Sequence, residues 1–286
     1  SAYGAAAALA PFLKTTGGSV WVFGTPAEEY GSAKVPMLEA GVFKPADAVI
    51  MMHPESFTLV NTTALALDAL KFEFRGKSTH ASATPHEGIN ALDAVIALFN
   101  GIGALRQQLK SDARVHGIIT KGGTAPNVIP DLCEAQFYIR AKERRYLDEV
   151  TRKVNACARA AALATGCRLK ITVCEPSLDD VVNNPVLSRL VEKSLKALGV
   201  RDIAGEDTAP GSADIGNVSH RIPTVYIYCA TAPKGLDLHT RKFAAASVTD
   251  AAHRGLITAV KVLALSALEL LRKPGLVKEA RLAHRG

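Results

Sequence analysis

The sequence predicts an α/β chain with a smaller α+β domain inserted into it. Three observations carry this. Two strand candidates near the start, Ser19–Phe23 (SVWVF) and residues 47–52 (DAVIMM), are apolar runs that break at turn-like residues. Residues 61–177 then change character and read strand, helix, strand, strand, helix, strand. From about Ser177 the chain returns to helices around one apolar strand, Ile222–Cys229 (IPTVYIYC). A length of 286 residues suits one large or two medium domains.

Ala2–Leu13 (AYGAAAALAPFL) reads as a helix with Pro11 near its end. It lacks a basic leader and a cleavage-like flank, so it is not read as a secretory signal. An alanine-rich helix with no leading strand is an odd start for a domain, and the expectation is a fragment of a longer protein. After Ser19–Phe23, residues Gly24–Ala27 break the strand and Glu28–Glu29 follow at its C-terminal end. In open α/β sheets ligands bind at that end. Two adjacent carboxylates there are costly unless a positive charge lies between them or one keeps its proton. A metal ion would supply the charge: one glutamate ligates, and its neighbour serves as general base on a metal-bound water. The pair by itself fits equally well as acidic residues at a helix start, where the dipole favours them.

Ser32–Ala40 has helical spacing and stops at Gly41, with Pro36 inside it as a source of a kink or a late start. The run 47–52 ends in His53-Pro54, which puts a histidine at the same sheet edge as the glutamates. Within the insert, Ala64–Phe74 alternates as a half-buried strand, and RGKSTHASATPHEG is a polar loop. Ile89–Leu109 is a helix, Val115–Lys121 a strand, Asp131–Arg140 an alternating strand, Leu147–Leu163 a helix ended by Gly166, and Arg168–Val173 a strand. This order is the ferredoxin-like split βαβ plan. Beyond it lie a helix over Pro185–Leu198, a glycine-rich loop over Thr208–Ser219 (TAPGSADIGNVS), and His239 in the GLDLHT loop. Ala244–Leu271 reads as one long apolar helix, and RKPGLVKEARLAHRG as a frayed basic tail.

Composition narrows the function classes. At 48% hydrophobic and 21% charged residues the chain is an ordinary globular protein. No uninterrupted apolar run is long enough to span a membrane, so no membrane partner is expected. Five scattered cysteines without C-x-x-C spacing point to a reducing, cytoplasmic setting and away from a cysteine zinc site. The net charge is +7, but no aromatic-interleaved basic patch accompanies it, so nucleic acid is not an expected partner.

GTPAEE, M-x-H-P, an insert carrying GKSTHAS and PNVIPD, then GSADIGNVS and LHT, stand in this order along the chain. Together they resemble the aminoacylase and carboxypeptidase-G-like amidohydrolases with two co-catalytic metals, peptidase family M20. The branch with p-aminobenzoyl-glutamate hydrolase and the domain-containing protein 2 dipeptidases is the nearest match. The resemblance implies a doubly wound, zinc-peptidase-like catalytic domain over 1–60 and 178–286, with a lid and dimerisation domain over 61–177. It implies Glu28 as general base and Glu29, His53 and His239 as metal ligands. It implies His80 as the residue that reaches a partner subunit's site and stabilises the oxyanion. Asn127 is implied to hold substrate, and Arg140 to pair with the substrate carboxylate. Read alone, these three are a loop histidine, a turn former and a strand-edge charge. His86, His116, His220, His253 and His284 have no motif support and read as surface or structural.

The implied cofactor is a divalent metal: zinc first, with manganese or cobalt as alternatives, and two ions in the complete protein. The implied substrate is a dipeptide or N-acyl amino acid, and the implied assembly a homodimer through the lid. The family also has ligands upstream of the glutamate pair, which this sequence lacks, and the first strands of the catalytic domain would be missing with them. Two expectations follow. The chain is the C-terminal portion of a metal-dependent amidohydrolase, or it is a catalytically incomplete module that binds a ligand or dimerises.

Overall fold

A computed structural model describes residues 1–206 and 211–285; residues 208–210 of the TAPGSADIGNVS loop lie outside the described residues. Along the chain run α1 (Ala2–Leu9), α2 (Leu13–Thr16), α3 (Glu28–Gly31), α4 (Lys34–Glu39), β1 (Val49–Glu55), β2 (Leu59–Val60) and β3 (Ala66–Arg75). There follow α5 (Ala91–Leu105), β4 (Arg114–Lys121), β5 (Leu132–Ala141), α6 (Arg144–Thr165) and β6 (Arg168–Leu178). The last elements are α7 (Pro185–Ala197), α8 (Ile215–Ser219), β7 (Thr224–Ala230), α9 (Arg241–Ala246), α10 (Asp250–Arg272) and α11 (Pro274–Arg285). Two compact units result: Ser1–Ala64 with Val181–Gly286, and Leu65–Asp180. The sequence reading put these boundaries near 61 and 177.

The first unit is built on a three-stranded sheet in the order β1-β7-β2. β1 runs parallel to β7, with His53 opposite Tyr228, and β2 pairs antiparallel. Strand alternation sorts the two faces. Val225, Ile227 and Cys229 of β7, with Ile50 and Met52 of β1, pack against residues of α7, α10 and α11. Tyr226, Tyr228, Val49 and Met51 point to the other face, against Phe43, Ile215 and Val218. His53 continues the Val49–Met51 series and therefore lies on that second face. Gly255 lets α10 come close to the end of β7: a Cβ there would stand 2.2 Å from the Ala230 carbonyl oxygen.

The second unit is a four-stranded antiparallel sheet in the order β4-β5-β3-β6. With α5 and α6 this is the ferredoxin-like arrangement expected from the sequence. Its core joins Phe72 and Phe74 of β3, Phe137 and Ile139 of β5, Leu98 and Ile102 of α5, and Leu147, Val150 and Val154 of α6. Asp68 is buried within the unit and accepts from the two terminal Arg144 guanidinium nitrogens at 2.9 and 2.8 Å and from the Thr151 hydroxyl at 2.6 Å.

Three sequence expectations need correction. Ser19–Phe23 is not a buried strand; it is irregular, and Trp21 is 56% exposed. A strand needs a ladder partner, and β1, the nearest candidate, pairs only with β7 among the described residues. Phe23 instead packs on Phe43, ring centroids 4.7 Å apart. The long helix over 244–271 is two helices, because Thr249 caps α10 by accepting the Ala252 N–H at 3.3 Å. The basic tail is helical as α11, whose Ala280 is fully buried in the first unit's core.

Candidate active site

The glutamate pair is placed by a backbone reversal. Ala27 adopts a left-handed conformation, φ 56°, and begins the one-turn helix α3 at Glu28. This presents Glu29 as a mostly exposed side chain and leaves Glu28 half-buried. His239 is also left-handed, φ 58°, in the loop after β7. Its Nδ1 lies 3.8 Å from Glu29 Oε1. Both side chains are more than half exposed, so this ion pair by itself is weak.

His53 stands near the C-terminal end of β1. Its Nδ1 and the Pro54 carbonyl oxygen are 2.7 Å apart, and the carbonyl can only accept. The proton therefore sits on Nδ1, and Nε2 keeps its lone pair. Burial pushes the His53 imidazole below its ordinary value, which favours the neutral form that ligates cations. Glu29 and His239 are both close enough to influence its charge.

Glu28 is raised above the ordinary glutamate value, chiefly by burial and then by the charges of Asp214 and Glu29; Lys34 works in the other direction. Asp214 is fully buried and anchors this corner. One of its carboxylate oxygens accepts the Lys34 ammonium at 2.7 Å, and the other accepts the Lys34 backbone N–H at 3.0 Å. The Asp214 backbone N–H donates to the Glu28 carboxylate. Neither Lys34 nor Asp214 stood out in the sequence. Lys34 lies within the Ser32–Ala40 helical stretch, and Asp214 within the glycine-rich loop over Thr208–Ser219; an aspartate in that loop was the available signal.

Glu28, Glu29, His53 and His239 thus line one cavity of about 680 Å³, together with Tyr226 and Tyr228. These side chains come from four separate stretches of the first unit. The donor chemistry fits a divalent cation: two imidazoles, one with its lone pair exposed by a backbone hydrogen bond, and a carboxylate. The fit is incomplete in spacing. Among the described residues no three His, Cys, Asp or Glu side chains stand close enough to hold a metal ion.

The remaining predicted residues lie in the second unit. His80 is exposed and bridges to Val128, while the Ala81 N–H donates to the Asn127 carbonyl at 2.9 Å, so His80 and Asn127 are held on one laced pair of loops. The Ser82 N–H and hydroxyl contact His80 Nδ1 at 3.3 and 3.1 Å. Arg140 stands apart from them on β5, between Arg114 and Leu67 of the neighbouring strands. Its guanidinium carbon is 5.9 Å from the Tyr138 ring, and its buried Nε has no hydrogen-bond partner.

Residues 67–166 match the peptidase dimerisation domain of the M20 family. The chain belongs to the M20 peptidase family. Mouse Xaa-Arg dipeptidase is 37% identical over 285 residues, covering 98% of this chain and 66% of the relative. One of the p-aminobenzoyl-glutamate hydrolase chains of Escherichia coli K12 is 28% identical over 342 residues, covering 99% of this chain and 71% of the relative. This M20 chain therefore spans just under two thirds of the mouse relative's length. Among solved structures, the Bacillus subtilis YXEP protein, described as a dinuclear metal-binding peptidase of the M20 family, superposes with a TM-score of 0.60 at 19% identity. It covers 86% of this chain and 63% of its own, and at that identity the likeness speaks for the fold.

Proposed function

We propose that this chain carries the reactive glutamates and the lid of a metal-dependent amidohydrolase that cleaves the amide bond of a dipeptide or N-acyl amino acid. The carrying observation is the gathering of Glu28, Glu29, His53 and His239 around one cavity. The names of the mouse and Escherichia coli relatives support the reaction class.

Glu29, His53 and His239 would hold a divalent ion, zinc in the first place. Such an ion acidifies water and polarises the amide carbonyl. Glu28 takes the proton of the attacking water and returns it to the departing amine; its raised proton affinity, set by burial and by Asp214, suits both steps. Asp214 and Lys34 fix where that carboxylate points. In the same reading His80 stabilises the developing oxyanion in a partner subunit's site, Asn127 holds substrate, and Arg140 pairs with its carboxylate. The insert would then serve as the homodimer interface. Five free cysteines support a reducing, cytoplasmic setting, and no helix among the described residues is long and apolar enough to cross a membrane.

A second reading is a ligand-binding or dimerising module without turnover. The open spacing of the donors among the described residues favours it. Metal analysis separates the two: about two equivalents of tightly bound zinc per chain support the enzyme, and none supports the module. In a chain that turns over, Glu28→Gln is expected to lower kcat by about 10²–10⁴-fold while zinc binding, read by calorimetry, is retained. An unchanged kcat would remove Glu28 from its role.

A further inference from the structure

The outer face of the insert's sheet gathers basic side chains where β4 meets β5. Val115 and Ile139 point into the insert's core, so their alternating neighbours, Arg114 and His116 on β4 and Tyr138 and Arg140 on β5, stand on the opposite face. The register sets Arg114 opposite Arg140 and His116 opposite Tyr138. Gly117 lets the strands close up at this point: a Cβ there would stand 2.3 Å from the Gln136 carbonyl oxygen. The His116 and Tyr138 rings meet edge to face with centroids 5.9 Å apart. The Arg140 guanidinium carbon lies 5.9 Å from the same Tyr138 ring, so one aromatic side chain has an imidazole and a guanidinium beside it.

The charges of this group are unbalanced. Like charges directly opposite on neighbouring strands repel, yet no carboxylate pairs with Arg114 or Arg140 among the described residues. Arg114 turns back to the carbonyl oxygens of Ser111 and Ala113. Arg140 has no such relief: its Nε is buried without a hydrogen-bond partner, and an unmade buried donor is costly. The acids on this face are engaged elsewhere. Glu175 accepts the Tyr138 hydroxyl, and Glu134 pairs with Lys71 at 3.8 Å.

A carboxylate seated here would answer the Arg140 fork. His116 is the second donor within the group, and it is open to solvent. Partial burial of the ring, and then the charge of Arg140, hold its imidazole below the ordinary value. Tyr138 and Arg140 face it from β5, the one strand beside β4 among the described residues, and Arg114 flanks it on its own strand; no acid stands among them. An anion on Arg140 would cancel the charge that opposes protonation and give an imidazolium its partner.

We propose that His116 joins Arg140 in holding a carboxylate on this face of the insert, and that it does so as an imidazolium, so that the carboxylate and a proton bind together. The inference deepens the role given above to Arg140 and rests on the amidohydrolase reading only for the carboxylate being the substrate's. Binding and protonation can both be measured without turnover.

The test is an NMR titration of the histidine imidazoles in the metal-depleted full chain, with the His116 signal assigned by its loss in His116→Gln. N-acetylalanine is the probe, and its methylamide, which has no carboxylate, is the control. Saturation with N-acetylalanine should raise the pH at which His116 titrates by about one pH unit, and the methylamide should leave it in place. Because the complex takes up a proton, affinity should rise as pH falls, about fivefold from pH 8 to pH 6. His116→Gln should abolish that rise and leave the affinity at pH 8 unchanged. Arg140→Gln should raise the titration of His116 in the free chain and remove its response to the probe; Arg140→Lys, which keeps the charge if the amide variant does not fold, should retain part of that response. An unmoved His116, a rise in affinity that survives His116→Gln, or no binding of N-acetylalanine would overturn the proposal. An intact response in a chain that hydrolyses nothing when zinc is restored would overturn the amidohydrolase reading and leave this one standing.

Discussion

Two carboxylates, one in each unit, show what partners do to the same functional group. Burial works to raise Asp68 in the insert, but hydrogen bonds from Arg144 and Thr151 outweigh it and hold the group below its ordinary value. Burial also raises Glu28 in the first unit, and there the neighbouring charges of Asp214 and Glu29 add to the effect. The difference lies in who faces the carboxylate. A guanidinium favours the anionic form of Asp68 and ties β3 to α6. Like charges make Glu28 readier to accept a proton, which is the property a general base needs. The same chemical group is held as an anion in one place and left readier to take a proton in the other.

The largest expected effect breaks the insert's half of the comparison. Arg144→Met leaves Asp68 buried with the Thr151 hydroxyl and without its guanidinium. Removing one partner of a buried pair costs about 3–5 kcal/mol, read as a lower urea midpoint by far-UV circular dichroism. The double variant Asp68→Asn/Arg144→Met should regain much of that loss, since no uncompensated charge remains. A single variant as stable as the wild type would mean that the pair does not hold the insert together, and the contrast with Glu28 would lose its meaning.

A smaller effect sharpens the same contrast through pH. Asp68 has a folded-state value below its unfolded one. Its contribution to stability is therefore fully present above the ordinary aspartate value, near 4, and disappears as pH falls through the folded value. Each proton taken up limits the slope to about 1.4 kcal/mol per pH unit. Melting temperature should fall on acidification below about pH 4 in the wild type, and Asp68→Asn should flatten that limb. An acid limb equally steep in the variant would assign the loss to other groups.

How much of this was legible in the sequence follows from how local each cause is. Period-two alternation marks β3 and β5 because each buries one face, so Phe72, Phe74, Phe137 and Ile139 announce themselves. His53 was legible because an apolar strand ended at it. Ser19–Phe23 was misread because β-propensity reports side-chain fit, while ladder pairing depends on neighbours remote in sequence. The tail was misread because RKPGLVKEARLAHRG shows its charges, while the burial of Ala280 depends on α7. Asp214 and Lys34 were invisible for the same reason: 180 residues separate the partners of a 2.7 Å ion pair.

The smallest expected effect concerns a second ion pair in the first unit. Lys34–Asp214 and Lys234–Asp202 involve the same residue types at 2.7 and 3.4 Å. The first pair is almost wholly buried, and in the second both side chains are more than three-quarters exposed. Water already solvates the exposed ions, so bringing them together gains little and salt screens what remains. Lys234→Met should therefore change stability by no more than about 0.5 kcal/mol, measured by urea denaturation followed through Trp21, the only tryptophan. Lys34→Met in the same assay should cost several times more, because it strands the Asp214 carboxylate away from water. Equal costs for the two lysines would show that burial does not decide the worth of a charge pair in this unit, and the account of Glu28, which rests on burial first, would fall with it.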